Sequence, residues 1–88
     1  MITKKLDISN RLGLHARAAG MLVRLAGTFE SQITVAKDSS RVNAKSILGL
    51  MMLAAPMGST VTIAAEGPDE EAALAAVEDL MERKFDEE

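Results

Sequence analysis

The chain has 88 residues, 48% of them hydrophobic and 26% charged, which fits one small domain with a single modest core and argues against disorder. Ten basic and 13 acidic side chains leave a net charge of −3. There is no cysteine, which excludes disulfides, thiolate zinc sites and iron–sulfur clusters, and Phe29 and Phe85 are too few rings for a base-stacking nucleic-acid module.

Along the chain, Ile2, Leu6 and Ile8 alternate with Thr3, Lys5, Asp7 and Ser9, the period of a half-buried strand, with Lys4 the one charged residue on the inner face. Asn10-Arg-Leu-Gly is turn chemistry. The period changes from His15 to Ala26, where Ala19, Leu22, Val23 and Ala26 predict a buried helical stripe that stops at Gly27. Ile33 and Val35 mark a second strand, and Asp38-Ser39-Ser40 a tight connection to a third near Arg41–Asn43. Ser46 suits the N-cap of a short helix ending near Leu53. Pro56-Met-Gly-Ser is a loop, and Val61, Ile63 and Ala65 alternate as the fourth strand. Gly67-Pro68-Asp69 predicts a turn ending in an N-cap. Glu70 and Glu71 follow in the first helical turn, where the helix dipole favours them. Leu74, Val77 and Met81, with Ala73 and Leu80 at the margins, predict the stripe of a last helix reaching about Lys84.

The order β-α-β-β-α-β-α, with one apolar face per strand, predicts an α+β sheet covered by helices on one side and wet on the other. Ser46 to Ala65 is uncharged, but Pro56, Gly58, Ser59 and Thr60 interrupt it, so no membrane span is expected. Lys4, Lys5 and Asp7 leave no apolar run for a signal peptide, and a cytoplasmic protein is expected. Residues 1–46 hold eight basic and three acidic side chains, or +5, whereas residues 47–88 hold two and ten, or −8. The first half can therefore present a positive site.

The single histidine, His15, falls at the junction of the Asn10–Leu14 loop and the first helix, with Arg17 two residues on. A lone histidine is ordinarily a surface or capping residue, and without partners it cannot build a metal shell. The position allows more. The first N–H groups of a helix have no intrahelical acceptor and bind phosphate readily. An imidazole there offers a nucleophilic ring nitrogen. A phosphoryl group on that nitrogen would face the amides of Ala16, Arg17 and Ala18, and the Arg17 guanidinium could pair with the same oxygens. No serine triad accompanies His15, so self-contained hydrolysis is not suggested.

Gly13-Leu14-His15-Ala16-Arg17-Ala18-Ala19 resembles the G-L-H-A-R-P-A signature of HPr, the histidine-containing phosphocarrier of the phosphoenolpyruvate-dependent phosphotransferase system. Asn43-Ala44-Lys45-Ser46-Ile47-Leu48-Gly49-Leu50-Met51 resembles the family's regulatory-serine region, and the blocks at Gly58–Ile63 and Gly67–Glu70 match as well. The resemblance covers essentially all of residues 1–88 as a single HPr domain. It implies an open-faced β-sandwich, a four-stranded antiparallel sheet with three helices on one face. It implies that His15 accepts phosphate at Nδ1 from phosphorylated enzyme I and passes it to an enzyme IIA domain, assisted by Arg17. The chain would be a carrier rather than a complete enzyme, with no cofactor and no metal. It further implies that Ser46 is phosphorylated by an HPr kinase/phosphorylase, although a serine before a short helix is also a plain N-cap worth about 1 kcal/mol. The departure is Ala18, where the family has proline. Alanine keeps the helix, but the branch of the family stays open.

Arg17, Gly20, Met21 and Arg24 fall opposite the buried stripe of the first helix. The second helix, with Ile47, Leu48, Leu50, Met51, Met52 and Leu53, is apolar all round. If Leu50 and Leu53 point inward, Ile47, Leu48 and Met51 are left for a surface beside His15, and adaptable methionine suits several partners. The resemblance implies docking of enzyme I and enzyme IIA through these two helices; a monomer is the simplest expectation, and neither nucleic acid nor membrane is expected as a partner. Two alternatives stand beside the sugar carrier. One is a nitrogen-branch or purely regulatory homologue. The other is a small α+β module binding RNA or a metabolite, which the acidic second half disfavours for RNA.

Overall fold

The structure, a computed structural model, describes residues 1–86. Four strands, β1 (Ile2–Asp7), β2 (Gln32–Lys37), β3 (Ser40–Asn43) and β4 (Thr60–Glu66), form one sheet in the order β1-β4-β2-β3. Every pairing is antiparallel. The helices are α1 (Ala16–Ala26), α2 (Ile47–Leu53) and α3 (Glu70–Glu82). The α+β order and the antiparallel sheet are those expected.

Alternation sets the register. Val61, Ile63 and Ala65 of β4 and Ile33 and Val35 of β2 are buried, and Ile33 pairs with Ala65 and Val35 with Ile63. A slip by one residue would turn these side chains to water, which fixes the pairing. On β1, Lys4 sits on the inner face but at the sheet's edge. Its ammonium reaches Glu78 of α3 at 2.5 Å, so the apparent misfit is an interlayer ion pair, partly open to water. The β2–β3 hairpin closes through Asp38 and Ser39, with Lys37 opposite Ser40 and Asp38 at φ 54°. Aspartate tolerates that conformation, and β3 begins one residue earlier than the pattern suggested.

The helices correct the expected stripes slightly. On α1 the buried residues are Ala18, Ala19, Leu22 and Ala26, while Val23 is half-buried. Ala18, Leu22 and Ala26 lie one above another at spacing four, and Val23, about 100° further round from Leu22, falls at the edge. Met21 also packs partly on the core rather than standing clear of it. On α3 Ala73 and Leu80 are fully inside, and Leu74 is the marginal residue. Alanine at positions 18, 19, 26 and 73 keeps these contacts short, since each is fully buried.

The last helix ends at Glu82, before Lys84. Residues 84–86 follow as a short turn with positive φ, which brings Phe85 into the core. The Arg83 guanidinium braces it by binding the carboxylates of Asp79 and Asp86. Among the described residues no helix is long and apolar enough to cross a membrane.

Candidate functional site at the start of the first helix

The segment leading into His15 is clamped at both ends. The Gly13 amide donates to the Asn10 carbonyl at 3.1 Å, and the buried Asn10 Nδ2 donates to the Gly13 carbonyl at 2.7 Å. The Leu14 amide donates to the Ala55 carbonyl at 2.8 Å, tying the loop to the end of α2. Gly13 is required here twice over. Its φ is +67°, and a Cβ on it would lie 2.5 Å from the Ala55 carbonyl oxygen. The sequence marks this stretch only as a turn; Asn10 as its internal lock is found from the structure.

His15 is the N-cap of α1, with extended backbone at φ −88° and ψ −177°. The first intrahelical bond runs from the Ala19 amide to the His15 carbonyl at 2.8 Å. The amides of Ala16, Arg17 and Ala18 therefore lie in the turn that has no intrahelical acceptors. One of them is aimed at the ring: the Arg17 amide donates to His15 Nδ1 at 3.4 Å. A nitrogen that accepts from an amide carries its lone pair, so Nδ1 is the ring nitrogen whose lone pair faces the first turn of α1. The bond exceeds the usual 2.7–3.2 Å range, which leaves that lone pair weakly committed.

The ring opens into a shallow depression lined by Leu12, Leu14, Met51, Ala54 and Pro56. Leu50 and Leu53 of α2 point inward, while Ile47, Leu48, Met51 and Met52 are exposed. The second helix is thus divided into a core face and an apolar outer face, as its sequence allowed. Arg17 and Arg24 are exposed on α1. Gly20 is half-buried at the α1–α2 contact, where a Cβ would sit 3.8 Å from Ile47 Cδ1 and 3.6 Å from an Arg24 guanidinium nitrogen. Ala18 points into the core, so the departure from the family pattern faces the sheet side and not the exposed side of α1. Met52 and Leu12 belong to the exposed apolar surface although the pattern did not single them out.

Ser46 caps α2, with its Oγ accepting from the Gly49 amide at 3.1 Å. A short turn presents it: the Ser46 amide donates to the Asn43 carbonyl at 3.0 Å, and the Lys45 amide to Asn43 Oδ1 at 2.8 Å. The Lys45 ammonium reaches back to the Phe29 carbonyl at 2.8 Å. Gly49 lets α2 begin close to Val42, since a Cβ would lie 3.3 Å from both Ser46 Oγ and Val42 Cβ.

Fold and site define a class: a small open-faced domain that offers one weakly held imidazole nitrogen at a helix N-terminus beside an apolar surface. The family described as "PTS HPr component phosphorylation site" matches residues 2–83. The phosphocarrier protein HPr of Treponema pallidum is 49% identical over the full length of both chains. The crystal structure of an HPr from Thermoanaerobacter tengcongensis superposes with a TM-score of 0.96 at 50% identity, covering 100% of this chain and 99% of that one. A phosphocarrier protein named NPr, from Shewanella violacea, is 44% identical over 98% of this chain and 94% of its own. The chain belongs to the HPr family of phosphocarriers.

Proposed function

We propose that the chain carries a phosphoryl group on His15 in the phosphoenolpyruvate-dependent phosphotransferase system. The observation that carries this reading is the Nδ1 lone pair directed into the α1 N-terminus. Nδ1 attacks the phosphorus held on enzyme I. The N–P bond forms as the bond to the donor nitrogen breaks, and the donor takes back its electron pair. The amides of Ala16, Arg17 and Ala18 and the Arg17 guanidinium hold the phosphoryl oxygens. The long Arg17–Nδ1 bond is given up at the moment the lone pair is used. An enzyme IIA histidine then attacks the same phosphorus, so the chain is a carrier and completes no reaction alone. The exposed residues Ile47, Leu48 and Met51, with Gly20, Met21 and Arg24, form the docking surface. The chain works as a cytoplasmic monomer and as one domain.

Intact-mass spectrometry after incubation with enzyme I, Mg²⁺ and phosphoenolpyruvate tests this. Wild type gains one acid-labile phosphate and His15→Ala gains none. A folded wild type that takes no phosphate, or a His15→Ala chain that takes it, overturns the assignment.

Ser46 is the regulatory position in this reading, phosphorylated by an ATP-dependent HPr kinase. Its Oγ already accepts from the Gly49 amide, and a phosphate there would meet the same donor without unfolding α2. The added charge would oppose an acidic partner docking around His15. Ser46→Asp slows transfer from enzyme I at unchanged fold; an unchanged rate counts against this switch.

The relative named NPr supports a second reading, in which the carrier serves a nitrogen-regulatory branch. The two separate by which class of enzyme IIA domain drains phosphate from the labelled chain faster.

A further inference from the structure

The chain has six methionines and no cysteine, so all of its side-chain sulfur is thioether. The structure sorts these methionines. Met81 is buried, at 3% exposure, and Met21 packs partly on the core. Met51 is 45% exposed and lines the depression into which His15 opens, and Met52, at 75%, follows it on the outer side of α2. Met57 is exposed in the loop after α2. We propose that Met51 is an oxidation site, and that its sulfoxide closes the docking face around His15 and makes phosphoryl transfer sensitive to peroxide. This rests on the carrier function proposed above.

The chemistry needs only a peroxide. A sulfur lone pair attacks one peroxide oxygen, the S–O bond forms, the O–O bond breaks, and the leaving hydroxide takes a proton to become water. Sulfur loses two electrons and the peroxide gains them. The product exchanges a flexible apolar side chain for a polar one. On a face otherwise built from Ile47, Leu48 and Leu12, the sulfoxide oxygen would be stripped of water when a partner docks, and burying it without an equal hydrogen bond in exchange costs binding free energy. Thioethers are the adaptable part of such a surface, so their loss falls on binding. Because methionine sulfoxide is reducible, the change is reversible.

The test treats the purified chain with hydrogen peroxide, locates the added oxygens by peptide mass, and measures initial rates of phosphoryl acceptance at sub-saturating phosphorylated enzyme I. Each chain is compared with its own untreated rate. Oxidised wild type carries oxygen on Met51 and not on Met81. Its rate falls on the order of tenfold, with the loss in apparent KM, and methionine sulfoxide reductase restores it. Met51→Leu, a volume-conserving change, loses much less of its own rate on oxidation. Met51 left unoxidised, an oxidised wild type as fast as the untreated one, or an equal loss in Met51→Leu each overturns the proposal. An untreated chain that takes no phosphate overturns the carrier function itself, which keeps the two failures apart.

Discussion

At the start of α1 the capping side chain is His15, held by one amide at 3.4 Å. At the start of α3 it is Asp69, and its carboxylate does not cap its own helix at all. It reaches instead to the loop before β2, accepting from the Glu30 and Ser31 amides at 2.9 Å each and from the Ser31 hydroxyl. The α3 turn is closed by another residue, Glu70, which accepts from the Gly67 amide at 3.1 Å. The two helix ends thus use one structural position in opposite ways. At α3 both Asp69 oxygens are spent on holding the turn to the loop before β2. At α1 the loop is locked by Asn10 and Gly13, and the capping nitrogen Nδ1 accepts a long bond from the Arg17 amide. A reactive group needs a rigid frame around it and few bonds to itself, and the difference between these two ends is that requirement in miniature.

Replacing the two caps gives the largest contrast. His15→Ala abolishes phosphoryl acceptance, and because the cap bond it removes is long, at 3.4 Å, urea unfolding shifts by about 1 kcal/mol. Asp69→Ala does the reverse: it lowers the urea midpoint more than His15→Ala does and leaves a chain that still takes phosphate by intact mass. Equal effects of the two on stability would break the comparison.

Gly13→Ala tests the frame rather than the nucleophile. The left-handed φ and the Cβ placed against the Ala55 carbonyl together cost about 2–4 kcal/mol, read by urea unfolding. Acceptance falls as well, since the loop that sets His15 must move. A stability loss without slower acceptance would mean that the ring does not depend on this loop.

A pH series sharpens the Asp69 side. Hydrogen bonds from the Ser31 hydroxyl and then the Glu30 amide hold the Asp69 carboxyl below its ordinary value. A depressed folded value contributes stability above the unfolded carboxylate value, near 4, and loses it as pH falls through the lower folded value. Wild type therefore loses stability below about pH 4 more steeply than Asp69→Asn, whose position carries no titrating group. Parallel curves would show that the Ser31 contact does not favour the charged form.

Much of this was legible in the sequence because it rests on period and on local signals. Alternation at Val61, Ile63 and Ala65 marked the fourth strand, and His15 and Ser46 stood where helix caps belong. The inward turn of Leu50 and Leu53 was one arrangement that an all-apolar helix allowed, and the structure adopts it. What was not legible depends on contacts far apart in the chain. Asp69 looks like a local cap, and nothing nearby shows that Glu30 and Ser31 claim its oxygens. Lys4 reads as a misfit until Glu78 arrives from α3. Phe85 follows a helix whose stripe has already ended, and only the positive-φ turn after Arg83 carries it inside.

Ala54 provides the smallest test, and it mirrors Gly13. Both residues are left-handed, Gly13 at φ 67° and Ala54 at φ 52°, and they flank the Leu14–Ala55 hydrogen bond that ties the His15 loop to α2. At position 13 the residue is glycine and no side chain fits. At position 54 the residue is alanine, the end of α2, exposed beside the depression. An alanine in this conformation costs about 1–2 kcal/mol, while a glycine returns part of that by loosening the unfolded chain. Ala54→Gly therefore raises stability by about 0.5–1 kcal/mol in urea unfolding, the opposite sign to Gly13→Ala. A loss in place of that gain would mean that the Ala54 methyl contributes packing to the rim of the depression that outweighs its backbone strain.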